Sequence, residues 1–74
     1  MPPAQHRRTV PVSGDGIRLG QFLKLADAVD AGSDVKYLLA GGEVSVNGEP
    51  ETRRGRQLIR GDVVRVGDTE LRVG

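Results

Sequence analysis

The stretch LLAGGEVSVNG, from Leu38 to Gly48, decides the fold because it joins the end of a helix to the start of a β-hairpin. Gly41 and Gly42 follow an apolar run, and glycine tolerates the left-handed backbone conformation that ends helices. The next four residues, EVSV, alternate as in a strand. Asn47 and Gly48 favour a type I′ turn, in which both residues have positive φ. The stretch therefore predicts a helix, a strand and a tight reversal, in that order.

Upstream of this stretch, two apolar stripes at helical spacing predict two short helices. The first stripe consists of Leu19, Phe22, Leu23 and Ala26. This helix is expected to run to about residue 29. The second stripe consists of Val35, Leu38 and Leu39. Ser33 is the expected N-cap of the second helix, and because two short helices cannot bury both stripes on each other, a further layer is needed.

That layer is predicted to be a small sheet. TVPV (residues 9–12) reads as an edge strand, because Pro11 cannot donate a ladder hydrogen bond. SGDG (13–16) is a turn, DVVRV (62–66) is a strand, and VGDTELRVG closes as a hairpin at Gly67 and Asp68. Residues 1–8 lack periodicity and are expected to form a flexible basic tail. The predicted fold class is α+β, with two short helices packed on a mostly antiparallel sheet in one domain of residues 9–74.

Composition excludes most kinds of catalytic and metal site. The chain of 74 residues has no cysteine and one histidine, so neither a disulfide framework nor a zinc ligand set can form. The serines fit turn, cap and strand positions. Glu49 and Glu51 flank the predicted turn and are expected to be solvated, where neither pKa would be raised for acid catalysis. We therefore expect a protein that is not an enzyme and has no cofactor or metal.

The segment RRGRQLIR, from Arg53 to Arg60, holds four arginines and no acid, although the chain carries a net charge of only +1. Like charges so close together repel each other, and arginine suits phosphate because its planar group donates two parallel hydrogen bonds. One interpretation is therefore a phosphate-binding segment. The other is a solvated loop onto which Glu49 and Glu51 fold back, and composition alone leaves both open.

From Ile17 to about Val66, the order of motifs resembles the RNA-binding domain named after ribosomal protein S4, also called the alpha-L motif. The motifs are RL at the first helix, LLAGGEVSVNG, and GDVV about a dozen residues after the hairpin. Within that family the chain is most similar to the stand-alone YbcJ-like branch, in which QFLK, a lysine in the second helix and ETRRGR recur. Two departures are Gly20, where an Asp is common, and Ala31-Gly32, where a Ser-Arg pair is common.

The resemblance implies a non-enzymatic, ribosome-associated protein that binds structured RNA, ribosomal or transfer, by its phosphates. The sequence has no cysteine, and no apolar run of it is long enough for a signal peptide or a membrane span, so we expect a cytoplasmic protein. The implied binding residues lie around the two helices and after the hairpin, and they are Arg18, Lys24, Lys36, Arg53, Arg54 and Arg56. The charge run adds Arg60. Helix N-termini are expected to add backbone donors. Tyr37 is expected to flank the core, so base stacking is not expected.

We also expect Lys36, Arg53, Arg54 and Arg56 to share one face, with Asp62 and Asp68 elsewhere. A monomer without a membrane partner is expected.

The alternative function is a protein-interaction adaptor or a ubiquitin-like carrier with an incidental basic patch. Such carriers share a VNGE hairpin and a terminal glycine. Their chemistry needs a mobile Gly-Gly end, whereas Gly74 follows Val73.

Overall fold

The computed structural model describes residues 6–28 and 35–74 and shows an α+β fold. The helices are α1 (Leu19–Leu25) and α2 (Val35–Ala40). The strands are β1 (His6–Val10), β2 (Gly16–Arg18), β3 (Val44–Val46), β4 (Glu49–Pro50), β5 (Gln57–Ile59), β6 (Val63–Val66) and β7 (Thr69–Val73). One sheet has the strand order β1-β7-β6-β3-β4, and β2 pairs with β5 in a second. The β1–β7 pair is parallel and the other four described strand pairs are antiparallel, which confirms the predicted fold class.

Both predicted hairpins are confirmed. Asn47 and Gly48 have φ of 52° and 86°, as a type I′ turn requires, and they connect β3 to β4. The β6–β7 hairpin turns at Gly67 and Asp68, with Gly67 at a φ of 57°. These reversals are encoded locally, and this is why the dipeptides alone were sufficient to place them.

The side chain of Asn47 also ties the first hairpin to the turn before β6. Its Nδ2 donates to Oδ1 of Asp62 at 3.1 Å, and its Oδ1 accepts from the backbone N–H of Val63 at 2.9 Å. Asp62 in turn accepts from the N–H of Ile59 at 2.9 Å. The spacing between the VNG and GD motifs therefore has a physical basis, because the two motifs bind each other.

The predicted N-terminal tail is wrong for residues 6 to 8. Strand β1 begins at His6, and its register against β7 places Arg7 beside Glu70 and Arg8 beside Leu71. Backbone pairing with a distant strand orders this segment, and local periodicity does not report such pairing. Pro11 follows the strand, and β1 is at the sheet edge as expected. Residues 1–5 lie outside the described residues.

Helix α1 is shorter than predicted, ending at Leu25 rather than near residue 29. Asp27 has a φ of 57° and its N–H donates to the carbonyl of Lys24 at 3.1 Å, which closes the helix in a tight turn. The predicted N-cap, Ser33, lies outside the described residues. The strands β2 and β5 were not predicted, because three residues each are too few to show a period.

The core joins the helices to both sheets. Its fully buried side chains come from α1, α2, β3, β5, β6 and β7, and the largest are Phe22, Leu19, Leu23, Leu39, Leu58 and Leu71. The two predicted helical stripes supply most of the helical share of this cluster. Neither helix in the described part of the chain is long and apolar enough to cross a membrane.

Candidate nucleic-acid interface

The segment from Glu51 to Arg56, here called the β4–β5 loop, is organised around one carboxylate. Arg53 donates from Nε to Oε2 of Glu51 and from Nη2 to Oε1, both at 3.2 Å. Arg56 donates from Nη1 to Oε1 at 3.0 Å. The backbone N–H groups of Thr52 and Arg53 donate to Oε2 at 3.0 and 3.2 Å. Five donors thus converge on a single side chain.

Glu51 is only 7% exposed, so the expectation that it is solvated was wrong. The Arg53 side chain, then the Arg53 backbone N–H and then the Arg56 side chain stabilise the ionised form and lower the pKa of Glu51 to about 2. The same contact raises the pKa of Arg53. A sequence places Glu51 next to a turn but does not show that two arginines will close over it.

The loop is attached to the start of α1 by two backbone hydrogen bonds. The N–H groups of Leu19 and Gly20 donate to the carbonyls of Arg56 and Arg54 at 2.8 and 2.9 Å. These two N–H groups are therefore not donors for a ligand, which corrects the expectation for this helix N-terminus. A Cβ at position 20 would lie 3.3 Å from Cβ of Arg54. Glycine at this position lets the loop approach the helix closely.

Arg54 lies between two concave regions of the surface. The first, here called the α1 concavity, is lined by the cations Arg18, Lys24 and Arg54. The second, here called the α2 concavity, is lined by Lys36, Leu39, Thr52 and Arg54. The side chain of Arg54 is exposed and makes no ion pair within residues 6–28 and 35–74. Four of the sequence-predicted residues are thus brought together by α1, α2 and the loop.

The other predicted arginines are placed differently. Arg53 and Arg56 both bind Glu51, but the Arg53 side chain is 76% exposed and that of Arg56 only 30%. Arg60 lies at the far end of β5, beyond Ile59, and donates to the carbonyl of Val12 at 3.4 Å. Proximity in sequence placed Arg60 in the cluster, whereas the direction of β5 carries it away.

The expected shared face is found for Lys36 and Arg54, which line one concavity. Asp62 and Asp68 line neither concavity. Asp62 is instead bound to Asn47 and Ile59 in the hairpin network. Within the described part of the chain, the charged residues that line these two concavities are all cations, namely Arg18, Lys24, Lys36 and Arg54.

One exposed residue was missed. Tyr37 was expected to flank the core, but it is 80% exposed on α2. A signal was present in the sequence, because Tyr37 is two positions after Val35 and so lies about 200° around the helix from that buried residue. The apolar stripe was identified correctly, but the residue opposite to it was not considered.

Comparison with known proteins agrees with the motif order. Residues 10–74 match the S4 domain family. The chain is also similar to a protein of Bacillus subtilis (strain 168) named probable ribosome maturation protein RlbA. The two are 49% identical over 57 residues, which cover 77% of this chain and 80% of that protein. With nearly the whole chain matched, this protein belongs to the S4 domain family.

Proposed function

We propose that the protein is a non-enzymatic RNA-binding protein that grips phosphates of structured ribosomal RNA. The observation that carries this proposal is the position of Arg54, which makes no ion pair within residues 6–28 and 35–74, between two concavities whose charged lining residues in those ranges are all cations. Membership of the S4 domain family supports RNA binding at the level of the family. The name of the Bacillus relative supports the ribosome as the setting, and hence the cytoplasm.

The primary contacts in this proposal are Arg18, Lys24, Lys36 and Arg54. Each is exposed and lines one of the two concavities. A guanidinium such as that of Arg54 donates two parallel hydrogen bonds to a phosphate, whereas the lysines act as compact charges. Because the contacts are made to the backbone, recognition depends on the shape of the folded RNA.

Arg53 and Arg56 have secondary roles in this proposal. Both neutralise Glu51, so the three side chains together carry a net charge of +1 rather than +2. Arg53 is exposed enough to present further N–H groups to a ligand, whereas Arg56 is mostly covered. We assign Arg56 to the organisation of the loop and place Arg60 outside the binding surface.

The proposal is tested by titrating the protein with structured ribosomal RNA fragments and with transfer RNA at several salt concentrations. With four phosphates engaged, and a slope per contact near that of duplex DNA, the affinity should fall on the order of a hundredfold between ~50 and ~200 mM salt. Ribosomal fragments are expected to bind more tightly than transfer RNA. The reverse preference would leave RNA binding in place but contradict the ribosomal target.

Two double variants with the same change in charge provide the control. Lys24→Ala with Arg54→Ala removes two cations from the α1 concavity. Arg8→Ala with Arg72→Ala removes two exposed cations from β1 and β7. The first pair should lower the salt slope by about two, and the second should leave it nearly unchanged. Equal reductions of the salt slope in the two double variants would show that net charge alone attracts the RNA. No RNA binding by the wild type would overturn the proposal.

The carrier alternative is not favoured by the geometry around Gly74. Its N–H donates to the carbonyl of Val10 at 3.0 Å, and its carbonyl accepts from the N–H of Val12 at 3.3 Å. A carrier of the ubiquitin-like kind needs a mobile terminal glycine, whereas this glycine is tied to the edge strand. The adaptor alternative predicts that the Lys24 and Arg54 double variant retains its partner.

A further inference from the structure

Tyr37 presents an aromatic ring to solvent from a rigid element. It is 80% exposed, more than either Leu25 or Ile59, the other large exposed apolar residues of the described chain. Helix geometry places it on the opposite side of α2 from Val35, which is buried. Its exposure is therefore set by the helix and not by the path of a loop.

The residue before Tyr37 takes part in the α2 concavity. Lys36 lines it together with Thr52 and Arg54. Tyr37 is not itself in the lining, but it is the next residue on α2 after Lys36, so the ring lies next to a proposed phosphate contact. Aromatic rings adjacent to cationic grooves are the arrangement by which proteins hold the bases of unpaired nucleotides, because every base has a face that can stack.

We propose that Tyr37 is a stacking platform for one unpaired base, whose flanking phosphate is held by Lys36 and Arg54. The inference rests on the proposed RNA-binding function and narrows its ligand. The preferred RNA is a duplex interrupted by a bulged or looped-out nucleotide, rather than a continuous duplex. Bases inside a duplex are stacked on each other and offer no free face to a protein ring.

The surroundings of Tyr37 favour a nucleotide over a protein partner. Protein interfaces need an apolar core larger than a single ring. On α2 the exposed neighbours of Tyr37 are Lys36 and Ala40. The exposed Leu25 belongs to a different concavity, beside β1, and Ile59 is on β5. Among residues 6–28 and 35–74, Tyr37 is the one exposed aromatic ring, and a single ring beside a lysine fits the flat face of a base.

The experiment uses two RNA hairpins with the same stem sequence and the same terminal loop, so that any contact with loop bases is common to both. One hairpin has a fully paired stem, and the other has a single bulged base in the stem. Tyr37 is the sole tyrosine and the chain has no tryptophan, so the intrinsic fluorescence of the protein reports on this ring alone. Stacking of the bulged base should quench that fluorescence. The fully paired hairpin should bind more weakly and quench less.

Variants separate stacking from other roles. Tyr37→Ala should weaken binding to the bulged hairpin by about fivefold to a hundredfold while leaving the salt slope unchanged, because the lost contact carries no charge. Tyr37→Phe should bind like the wild type, since the ring is retained. Ile59→Ala, which removes another exposed apolar side chain, should have no effect on either hairpin.

Four results would overturn the inference, and a fifth would overturn the proposed function on which it rests. Equal binding of both hairpins by the wild type would remove the preference for an unpaired base. In Tyr37→Ala, an unchanged ratio of the affinities for the two hairpins would show that stacking does not cause the preference. A loss of affinity in Tyr37→Phe as large as that in Tyr37→Ala would show the same. Binding to both hairpins without quenching of the tyrosine fluorescence would reject the stacking role of Tyr37 and leave the proposed function in place. If the wild type bound neither hairpin nor any ribosomal fragment, the proposed function itself would fail.

Discussion

The ion pairs between arginine and glutamate in the β4–β5 loop and at the sheet edge differ in burial. In the β4–β5 loop, Glu51 is buried and accepts from Arg53 and Arg56 at 3.0 to 3.2 Å. At the sheet edge, Nε of Arg7 lies 3.5 Å from Oε2 of Glu70, and both side chains are partly exposed. The first contact shapes a loop, whereas the second joins two strands that the backbone already pairs.

The difference shows that a run of like charges is not uniform in function. Exposed ion pairs contribute little, about 0 to 1 kcal/mol, because water screens them. A buried carboxylate must be satisfied by nearby donors, and those donors are then fixed in place. Two of the three clustered arginines fill that role, and Arg54 between them is turned towards the concavities.

The largest expected effect comes from removing the anchor of the loop region. Leu58 follows the loop on β5 and is fully buried, whereas its neighbour Ile59 is mostly exposed. Leu58→Ala should lower the free energy of unfolding by about 2 to 5 kcal/mol, through lost burial and the cavity left behind. Ile59→Ala should cost about 1 kcal/mol or less. Urea unfolding measures both, and similar losses would show that β5 is not an anchor.

The next effect sharpens the comparison of the two glutamates. Glu51→Gln removes the charge that five donors share, and so it should lower the thermal unfolding midpoint clearly. Glu70→Gln breaks the partly exposed ion pair with Arg7 and should change the stability by less than about 1 kcal/mol. Calorimetry on the two variants makes the comparison. Equal shifts would mean that burial of Glu51 carries no special weight.

Acid should weaken the loop region through Glu51. Its pKa is lowered to about 2 from an ordinary value of 4.5, so between these values the unfolded chain binds more protons than the folded one. Stability contributed by this group is full above about pH 5, and it is lost as the pH falls towards 2. Unfolding midpoints measured across this range should fall less steeply for Glu51→Gln than for the wild type. Parallel curves would assign the acid sensitivity to other groups.

The smallest expected effect on stability comes from a substitution at Gly20, where the β4–β5 loop lies close to α1. Gly20→Ala gains about 1 kcal/mol of helix propensity but places its Cβ against Arg54, so the free energy of unfolding should change little. The shift of Arg54 should nevertheless lower the affinity for structured RNA. Gly55→Ala is the matched control in the same loop, because a Cβ there meets nothing within 4 Å. An RNA affinity reduced equally in both variants would contradict close approach at Gly20.

Local patterns predicted the hairpins and the helical stripes, because a turn dipeptide such as Asn47-Gly48 carries its own conformational preference. Contacts between distant segments were not predictable in this way. The pairing of His6–Val10 with β7 and the closure of two arginines over Glu51 both depend on the tertiary fold.

For the candidate site, residue types were predicted better than positions. The order of motifs pointed to six residues, of which Arg18, Lys24, Lys36 and Arg54 line the two concavities. The other two, Arg53 and Arg56, bind Glu51. Arg60 was included because it is close in sequence, and a three-residue strand that showed no period carries it away. The exposure of Tyr37 follows from helix geometry, because this residue lies about 200° around α2 from the buried Val35.

The central claim is that Arg54 binds the phosphates of the RNA, whereas Arg56, which is mostly covered, organises the loop. The most direct test is the salt dependence of binding to a ribosomal RNA fragment for Arg54→Ala and Arg56→Ala, which remove the same charge. Arg54→Ala should lower the slope by about one at an unchanged unfolding midpoint, whereas Arg56→Ala should lower the midpoint and leave the slope nearly unchanged. Equal slope losses in the two variants, or a loss confined to Arg56→Ala, would contradict the account.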